Sequence, residues 1–178
     1  MPIKKRMVCF GFCEPNRMTR CGIGPWFSII TVISGVLAGW LTHRRPELFT
    51  IHRIPFWFLA SLASVLVFVG MVVYIIALRR FNQGYRQGEL VTQGPFAVVR
   101  HPIYAAWILL ICPGAALFFR SWPMLMLPVV AYIGFKAFIH REDRYLKNRF
   151  GQAYQDYRAC TNELFPVRFF RRITKLFY

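Results

Sequence analysis

Five consecutive residues, Arg100-His101-Pro102-Ile103-Tyr104, stand just ahead of an uncharged stretch of membrane length, and two acids, Glu142-Asp143, stand where the next such stretch ends. Ionisable groups close to hydrocarbon carry a desolvation cost unless they are paired, hydrated or bound to something. A guanidinium, an imidazole, a phenol and two carboxylates at the mouths of two helices therefore point to a polar ligand held where those helices meet water. Glu142 suits hydroxyl or ammonium donors, His101 donates or accepts, and Tyr104 offers a ring together with a hydroxyl. Arg100 suits a carboxylate. Pro102 is at home in the first turn of a helix, whose free amide donors favour an anionic group. Singly, each residue has an ordinary explanation: a histidine cap, an arginine reaching for the interface, an acid paired with Arg144 or Lys147. Their joint occurrence at both ends of one short hairpin favours a site. For Asp143, which faces a different side of the helix from Glu142, the ordinary explanation stays competitive.

The elements that position these groups are apolar. Of the 178 residues, 56% are hydrophobic, and the mean hydropathy is +0.39. That is too apolar, and too concentrated in runs, for a soluble core. Residues 23–42 and 55–78 contain no Asp, Glu, Lys, Arg or His. Each is long enough to span roughly 30 Å of hydrocarbon at about 1.5 Å per residue. Residues 103–119 are shorter and carry Pro113-Gly114, while residues 121–139 contain Lys136 as their one charge. These two read as a tight hairpin turning at Arg120-Ser121-Trp122-Pro123. The expected fold is an all-α integral membrane protein of one domain, residues 1–178, with four transmembrane helices. Small residues on the first two spans, among them Gly35, Gly39, Ala63 and Gly70, would let helix backbones approach closely.

The formal net charge is +16. Lys4, Lys5, Arg6, Arg17 and Arg20 precede the first span, Arg79, Arg80, Arg86 and Arg100 lie between the second and third, and the chain beyond residue 140 carries most of the rest. This asymmetry predicts both termini in the cytoplasm, in a bacterial-type inner membrane or an endomembrane. Basic residues that flank spans, rather than forming one face of a soluble fold, speak against a nucleic-acid partner. The lipid bilayer is the partner they imply. Residues 1–22 form a basic cytoplasmic segment that does not read as a cleaved signal. Cys9, Cys13 and Cys21 lack a fourth ligand or a nearby His, so no metal site is expected.

Residues 79–100 contain Gly84, Gly88, Gly94 and Pro95, which predicts an ordered cytoplasmic loop. After the hairpin, Leu146, Phe150, Tyr154 and Tyr157 fall on one helical stripe. The fourth span is expected to continue as a helix to Phe150, with Gly151 loosening or ending it and a short second helix carrying Tyr154 and Tyr157. Residues 140–166 thus form a capping segment. Residues 167–178 alternate aromatic and basic positions at helical spacing, as in an interfacial amphipathic helix.

As spelling, Leu90-Val91-Thr92-Gln93-Gly94-Pro95-Phe96-Ala97-Val98-Val99-Arg100-His101-Pro102-Ile103-Tyr104, followed by Glu142-Asp143-x-x-Leu146-x-x-x-Phe150-Gly151-x-x-Tyr154-x-x-Tyr157, closely resembles the isoprenylcysteine carboxyl methyltransferase family. The resemblance runs from about Gly88 to Pro166 and extends to the related membrane phospholipid and thiol methyltransferases. It implies an S-adenosylmethionine-dependent methyltransferase whose cofactor lies in a cytoplasmic pocket beneath the capping segment, with a lipid-like acceptor entering from the bilayer. By the same resemblance the cofactor is held at Gly88, Glu89, Leu90 and Val91, at Phe96, at His101, Pro102, Ile103 and Tyr104, and at Glu142, with Asp143 beside it. Arg100 and His101 are the candidate catalytic residues. Candidate walls for the acceptor are Ala106 and Leu109 on the third span, Tyr132 and Phe135 on the fourth, and Arg141 beyond it. Each of these wall positions is equally compatible with ordinary packing.

Two departures bear on the acceptor. The family arginine one turn before the Glu142 position, implicated in handling a substrate carboxylate, is Phe138 here, and the arginine often seen before the closing Leu-Phe-Pro is Glu163. Lys136 and Arg141 are the cations nearest to Phe138, neither in register. Methyl transfer from a sulfonium is an in-line displacement that mainly requires alignment and desolvation. A carboxylate or thiolate acceptor needs no general base, whereas an amine must be neutral before it attacks. The alternatives are a small-thiol or phospholipid N-methyltransferase and, in another class, a non-catalytic membrane protein. Oligomeric state is not legible.

Overall fold

The computed structural model describes residues 24–52 and 54–167. The basic N-terminal segment with Cys9, Cys13 and Cys21, and the amphipathic tail beyond Val167, lie outside the described residues. In chain order the elements are α1 (Gly24–Arg44), α2 (Pro46–Phe49), α3 (Phe56–Gln87), α4 (Pro95–Val98), α5 (Pro102–Ala106), a π-helical turn (Trp107–Ile111), α6 (Cys112–Phe118), a 3-10 turn (Pro123–Met126) and α7 (Leu127–Cys160). Three helices, Gly24–Arg44, Phe56–Gln87 and Pro123–Cys160, are long and apolar enough to cross a membrane; Pro102–Phe118 is a shorter apolar helix. No strand occurs among the described residues.

α3 corrects one expectation. Gly84 does not break the helix, which runs on to Gln87 and ends at Gly88, whose φ of 73° caps it. Gly84 is buried because the chain after α3 folds back over it, and any side chain at 84 would overlap the Val91 methyl. The glycine is there for close approach and not for a turn. The third apolar segment is interrupted in its middle, where Pro113 lacks the N–H an α-helix needs and its ring crowds the preceding turn. The helix widens there, and the Cys112 N–H reaches the Trp107 carbonyl.

The packing is uneven. α3 lies tightly on α6: a Cβ at Gly114 would come within 2.7 Å of Val67 Cγ2 and 3.2 Å of the Ala63 carbonyl oxygen. α1 packs instead on α7 and the 3-10 turn, with no extensive contact to α3. At one end of the bundle the hairpin turn is locked to the α2 segment. Arg120, at φ 51°, donates from Nε and Nη2 to the Ile51 carbonyl, and the Ile51 N–H donates back to the Arg120 carbonyl.

At the opposite end, α7 continues beyond the apolar stretch to Phe150. Gly151 (φ 54°, ψ −126°) then breaks the helix and redirects the remaining turns to Cys160. The following strap returns to the start of the third helix, where the Asn162 and Glu163 carbonyls accept the Arg100 and His101 N–H groups at 2.8 and 3.1 Å. A core of Phe27, Tyr104, Ile108, Ala131, Phe135 and Ile139 holds α1, α5 and α7 together beneath this end.

Candidate functional site

Where α3, the segment after it, the start of α5 and the two parts of α7 converge, they enclose a cavity of about 390 Å³. That is within the range of small-molecule sites. Residues 88–91, Phe96, residues 100–104 and Glu142 all line it, as does the whole stripe Leu146, Phe150, Tyr154 and Tyr157. Two tyrosine hydroxyls fix the redirected end of α7: Tyr157 donates to the Phe96 carbonyl at 2.7 Å, and Tyr154 donates back to Asp143 on the first part of the helix.

Asp143 is not on the cavity wall. It stands behind the wall, buried, with Oδ1 3.5 Å from His101 Nε2 and Oδ2 3.9 Å from Arg100 Nη1. Glu142, one residue earlier and about 100° around the helix, turns to the cavity side. Its Oε2 receives the Tyr104 hydroxyl at 3.3 Å and its Oε1 lies 3.9 Å from His101 Nδ1. The imidazole is thus set between two carboxylates. Its ring also packs on Phe135 and Tyr104, and it makes no side-chain cap to α5.

Both acids lie beyond Ile139, past the apolar part of α7, and their environments push them apart. Burial drives the Glu142 carboxyl upward, only partly offset by His101 and the Tyr104 hydroxyl. Burial also raises Asp143, but the approach of His101, the Tyr154 hydrogen bond and the Arg100 charge outweigh it and hold that carboxyl at about 2.

Arg100 is 8% exposed and is flanked by Asp143 at 3.9 Å and Glu163 at 3.8 Å. Neither approach is a hydrogen bond, and Arg100 Nε and Nη1 and His101 Nε2 are buried donors without a hydrogen-bond partner in the protein. Such groups are costly to leave unmade. Glu163 also pairs with Lys136. Lys136 is therefore engaged away from the cavity, Phe138 packs against the core, and Arg141 is exposed.

The five candidate wall residues for the acceptor are placed elsewhere. Ala106 and Phe135, 1% and 0% exposed, are interior packing, Leu109 packs beside the core, and Tyr132 and Arg141 are on the outer surface; none lines the cavity. The reason is rotational: the hairpin turns the faces carrying these residues into the core or outward. The apolar wall comes instead from Phe27 of α1, Tyr74 and Leu78 of α3, and Trp107 in the π-helical turn, with Ser28 beside Phe27. On α3 the signal was present, since Tyr74, Leu78, Phe81 and Tyr85 recur at intervals of four, three and four and all line the cavity.

A family model described as phospholipid methyltransferase matches residues 57–153, from the start of α3 to just past Gly151. The chain is 27% identical over 158 residues to the cobalt-zinc-cadmium resistance protein CzcN of Cupriavidus metallidurans, an alignment covering 85% of this chain and 66% of that protein. It thus spans about two thirds of the length of that relative. No solved structure matches.

Proposed function

The chain belongs to the phospholipid methyltransferase family, and from that premise we propose that it is an integral-membrane, S-adenosylmethionine-dependent methyltransferase acting on a lipid-like acceptor. One observation carries the reading. The two motif segments, far apart in sequence, meet around a single cavity whose lining combines a buried acid, a guanidinium, an imidazole and several aromatic faces. That donor set fits a ligand bearing an ammonium, a carboxylate, a ribose diol and an adenine ring. Bound S-adenosylmethionine supplies a methyl group on a positively charged sulfur.

The chain's own residues divide the remaining work. Glu142 accepts from ribose hydroxyls or the ammonium, and the backbone of residues 88–91 allows close approach to the ligand. Phe96, Phe150, Tyr154 and Tyr157 provide aromatic faces and exclude water. The short helix Pro102–Phe118 counts as a fourth span in this reading, with the cavity and both termini on the cytoplasmic side. The gap between α1 and α3, bordered by Phe27, Ser28, Tyr74 and Leu78, admits the acceptor's tail from the bilayer. A tail gains about 0.8 kcal/mol per buried methylene, so affinity should climb with chain length until the gap is filled.

Equilibrium binding of labelled S-adenosylmethionine to the detergent-solubilised protein tests the cofactor. A methyl-transfer screen against a prenylated cysteine, a phosphatidylethanolamine and a small thiol tests the acceptor. Absence of binding at millimolar ligand would leave only a structural role. Equal turnover of a tailless thiol would favour the small-thiol methyltransferase reading and remove lateral entry.

A further inference from the structure

The first part of α7 turns one face to the cavity: Glu142, Tyr145, Leu146, Arg149 and Phe150 fall on a single helical stripe and all line it. That face carries an acid at one end and a base two turns on, about 10 Å along the axis. Arg141, Arg144 and Lys147 fall off the stripe and are exposed away from the lining. The charged and titratable side chains other than tyrosines around the cavity are thus Glu89, Glu142, Arg100, Arg149 and His101. Arg100 lies between Asp143 and Glu163, and His101 between Asp143 and Glu142. Glu89 and Arg149, both exposed on the rim, have no ion-pair partner among the described residues and are not paired with each other.

Resting on the cofactor reading above, we propose that Arg149 is an oxyanion receptor at the mouth of the cavity, a specificity-determining residue that binds a carboxylate or phosphate carried by a ligand. The guanidinium is oriented before any ligand arrives. Its Nη1 donates to the Tyr145 hydroxyl at 2.8 Å, and its carbon lies 5.5 Å from the centre of the Phe150 ring. Its Nη2 stands beside the cap of α3, where a Cβ at Gly88 would be 3.5 Å away. A long side chain normally gives up rotamer freedom when it binds, and these contacts reduce that cost. A guanidinium presents a planar fork of N–H donors that matches two oxygens of a carboxylate or phosphate, and Tyr145 uses only one arm of it.

Glu142 and Arg149 together order a ligand end to end along α7. The acid draws hydroxyl or ammonium donors, and the base draws an oxyanion. In the proposed reaction the oxyanion has two sources: the carboxylate of the methyl donor's amino-acid end, or a phosphate or carboxylate on the headgroup of the acceptor. Arg149 is exposed, so water and salt screen its attraction, and the effect is modest and sensitive to ionic strength.

The test is equilibrium binding to the full-length protein in a maltoside detergent, which carries no oxyanion, with two pairs of probes. S-adenosylmethionine is compared with its decarboxylated analogue, and dodecyl phosphate with dodecanol, the second pair with and without S-adenosylhomocysteine. The expected result is that Arg149→Gln weakens the oxyanion-bearing member of one pair by about three- to tenfold and leaves its partner unchanged. Arg149→Lys should recover part of the loss, and high salt should erase the difference. A loss confined to S-adenosylmethionine assigns the donor's carboxylate, and one confined to dodecyl phosphate assigns the acceptor's headgroup. Equal losses within each pair, or no change in either, as expected if Arg149 only packs or serves Glu89, would overturn the proposal. So would a wild-type protein with no preference for the oxyanion in either pair, a comparison that needs no variant to fold. If the wild type binds dodecyl phosphate through Arg149 but neither nucleoside, the cofactor reading falls and the receptor stands.

Discussion

Replacing Asp143 by Asn removes a negative charge and almost no volume, at a position where the structure allows the consequence to be worked out. The side chain is buried, accepts the Tyr154 hydroxyl, and faces His101 at 3.5 Å and Arg100 at 3.9 Å. The Asn carbonyl still accepts from Tyr154, so what is lost is the charge. Hydrogen bonds to charged groups contribute about 1.5–3 kcal/mol, against about 0.5–1.5 kcal/mol for neutral ones. Arg100 would be left with Glu163 alone, at 3.8 Å. The expected destabilisation at neutral pH is about 1.5–3 kcal/mol, or roughly 3–12 °C in Tm on the scaling of soluble domains. Thermal unfolding of both proteins in the same detergent measures it. The pH dependence supplies the second check. The Asp143 carboxyl titrates at about 2 when folded, below about 3.9 when unfolded. Its stabilisation is therefore complete above about pH 5, is reduced to about half near pH 3, and is lost as pH falls through the folded value. The gap between wild type and Asp143→Asn should narrow over that window. Equal Tm at neutral pH, or a gap that stays constant down to about pH 3, would refute the assignment of Asp143 as a charged anchor.

Glu142→Gln should weaken S-adenosylmethionine binding by tenfold or more, the equivalent of about 1.5–3 kcal/mol, while leaving the protein folded. In the wild type, affinity should fall as acid protonates Glu142, at a pH above the ordinary glutamate value of about 4.3 because burial raises this carboxyl; an affinity flat across that range would count against its role. Gly84→Ala should push Val91 off α3 and displace the wall at residues 88–91, at a cost of about 1–3 kcal/mol before roughly 1 kcal/mol of better helix propensity is returned. Adding Val91→Ala should restore cofactor affinity, and a double variant no better than the single one would show that the contact is not the cause. Leu78→Trp should cut turnover of long-chain acceptors much more than cofactor binding, whereas parallel losses in the two assays would place the tail elsewhere.

Local pattern was enough to locate the apolar segments, the hairpin turn, the break at Gly151 and the aromatic stripe on α7, because each rests on backbone chemistry or on a 3.6-residue period within one element. The two motif segments were likewise legible as a pair from their residue types and their places at helix ends. What tertiary structure decided was which faces meet. In a bilayer, lipid tails are as apolar as a packing partner, so the hydrophobicity of Phe27, Tyr74 or Leu78 cannot distinguish a cavity wall from a lipid-facing surface, and that of Ala106 or Phe135 cannot distinguish a wall from the core. Gly84 looked like a helix breaker until the chain that folds over it was in place. Asp143 and Glu142 are neighbours in sequence, yet only the rotation of α7 against the start of the third helix sends one behind the wall and the other into the cavity. The engagement of Arg100 by Asp143 and Glu163, and of Lys136 by Glu163, joins residues from the third helix, α7 and the strap. Partners that distant are chosen by the packing of whole helices, which no single stretch of chain encodes.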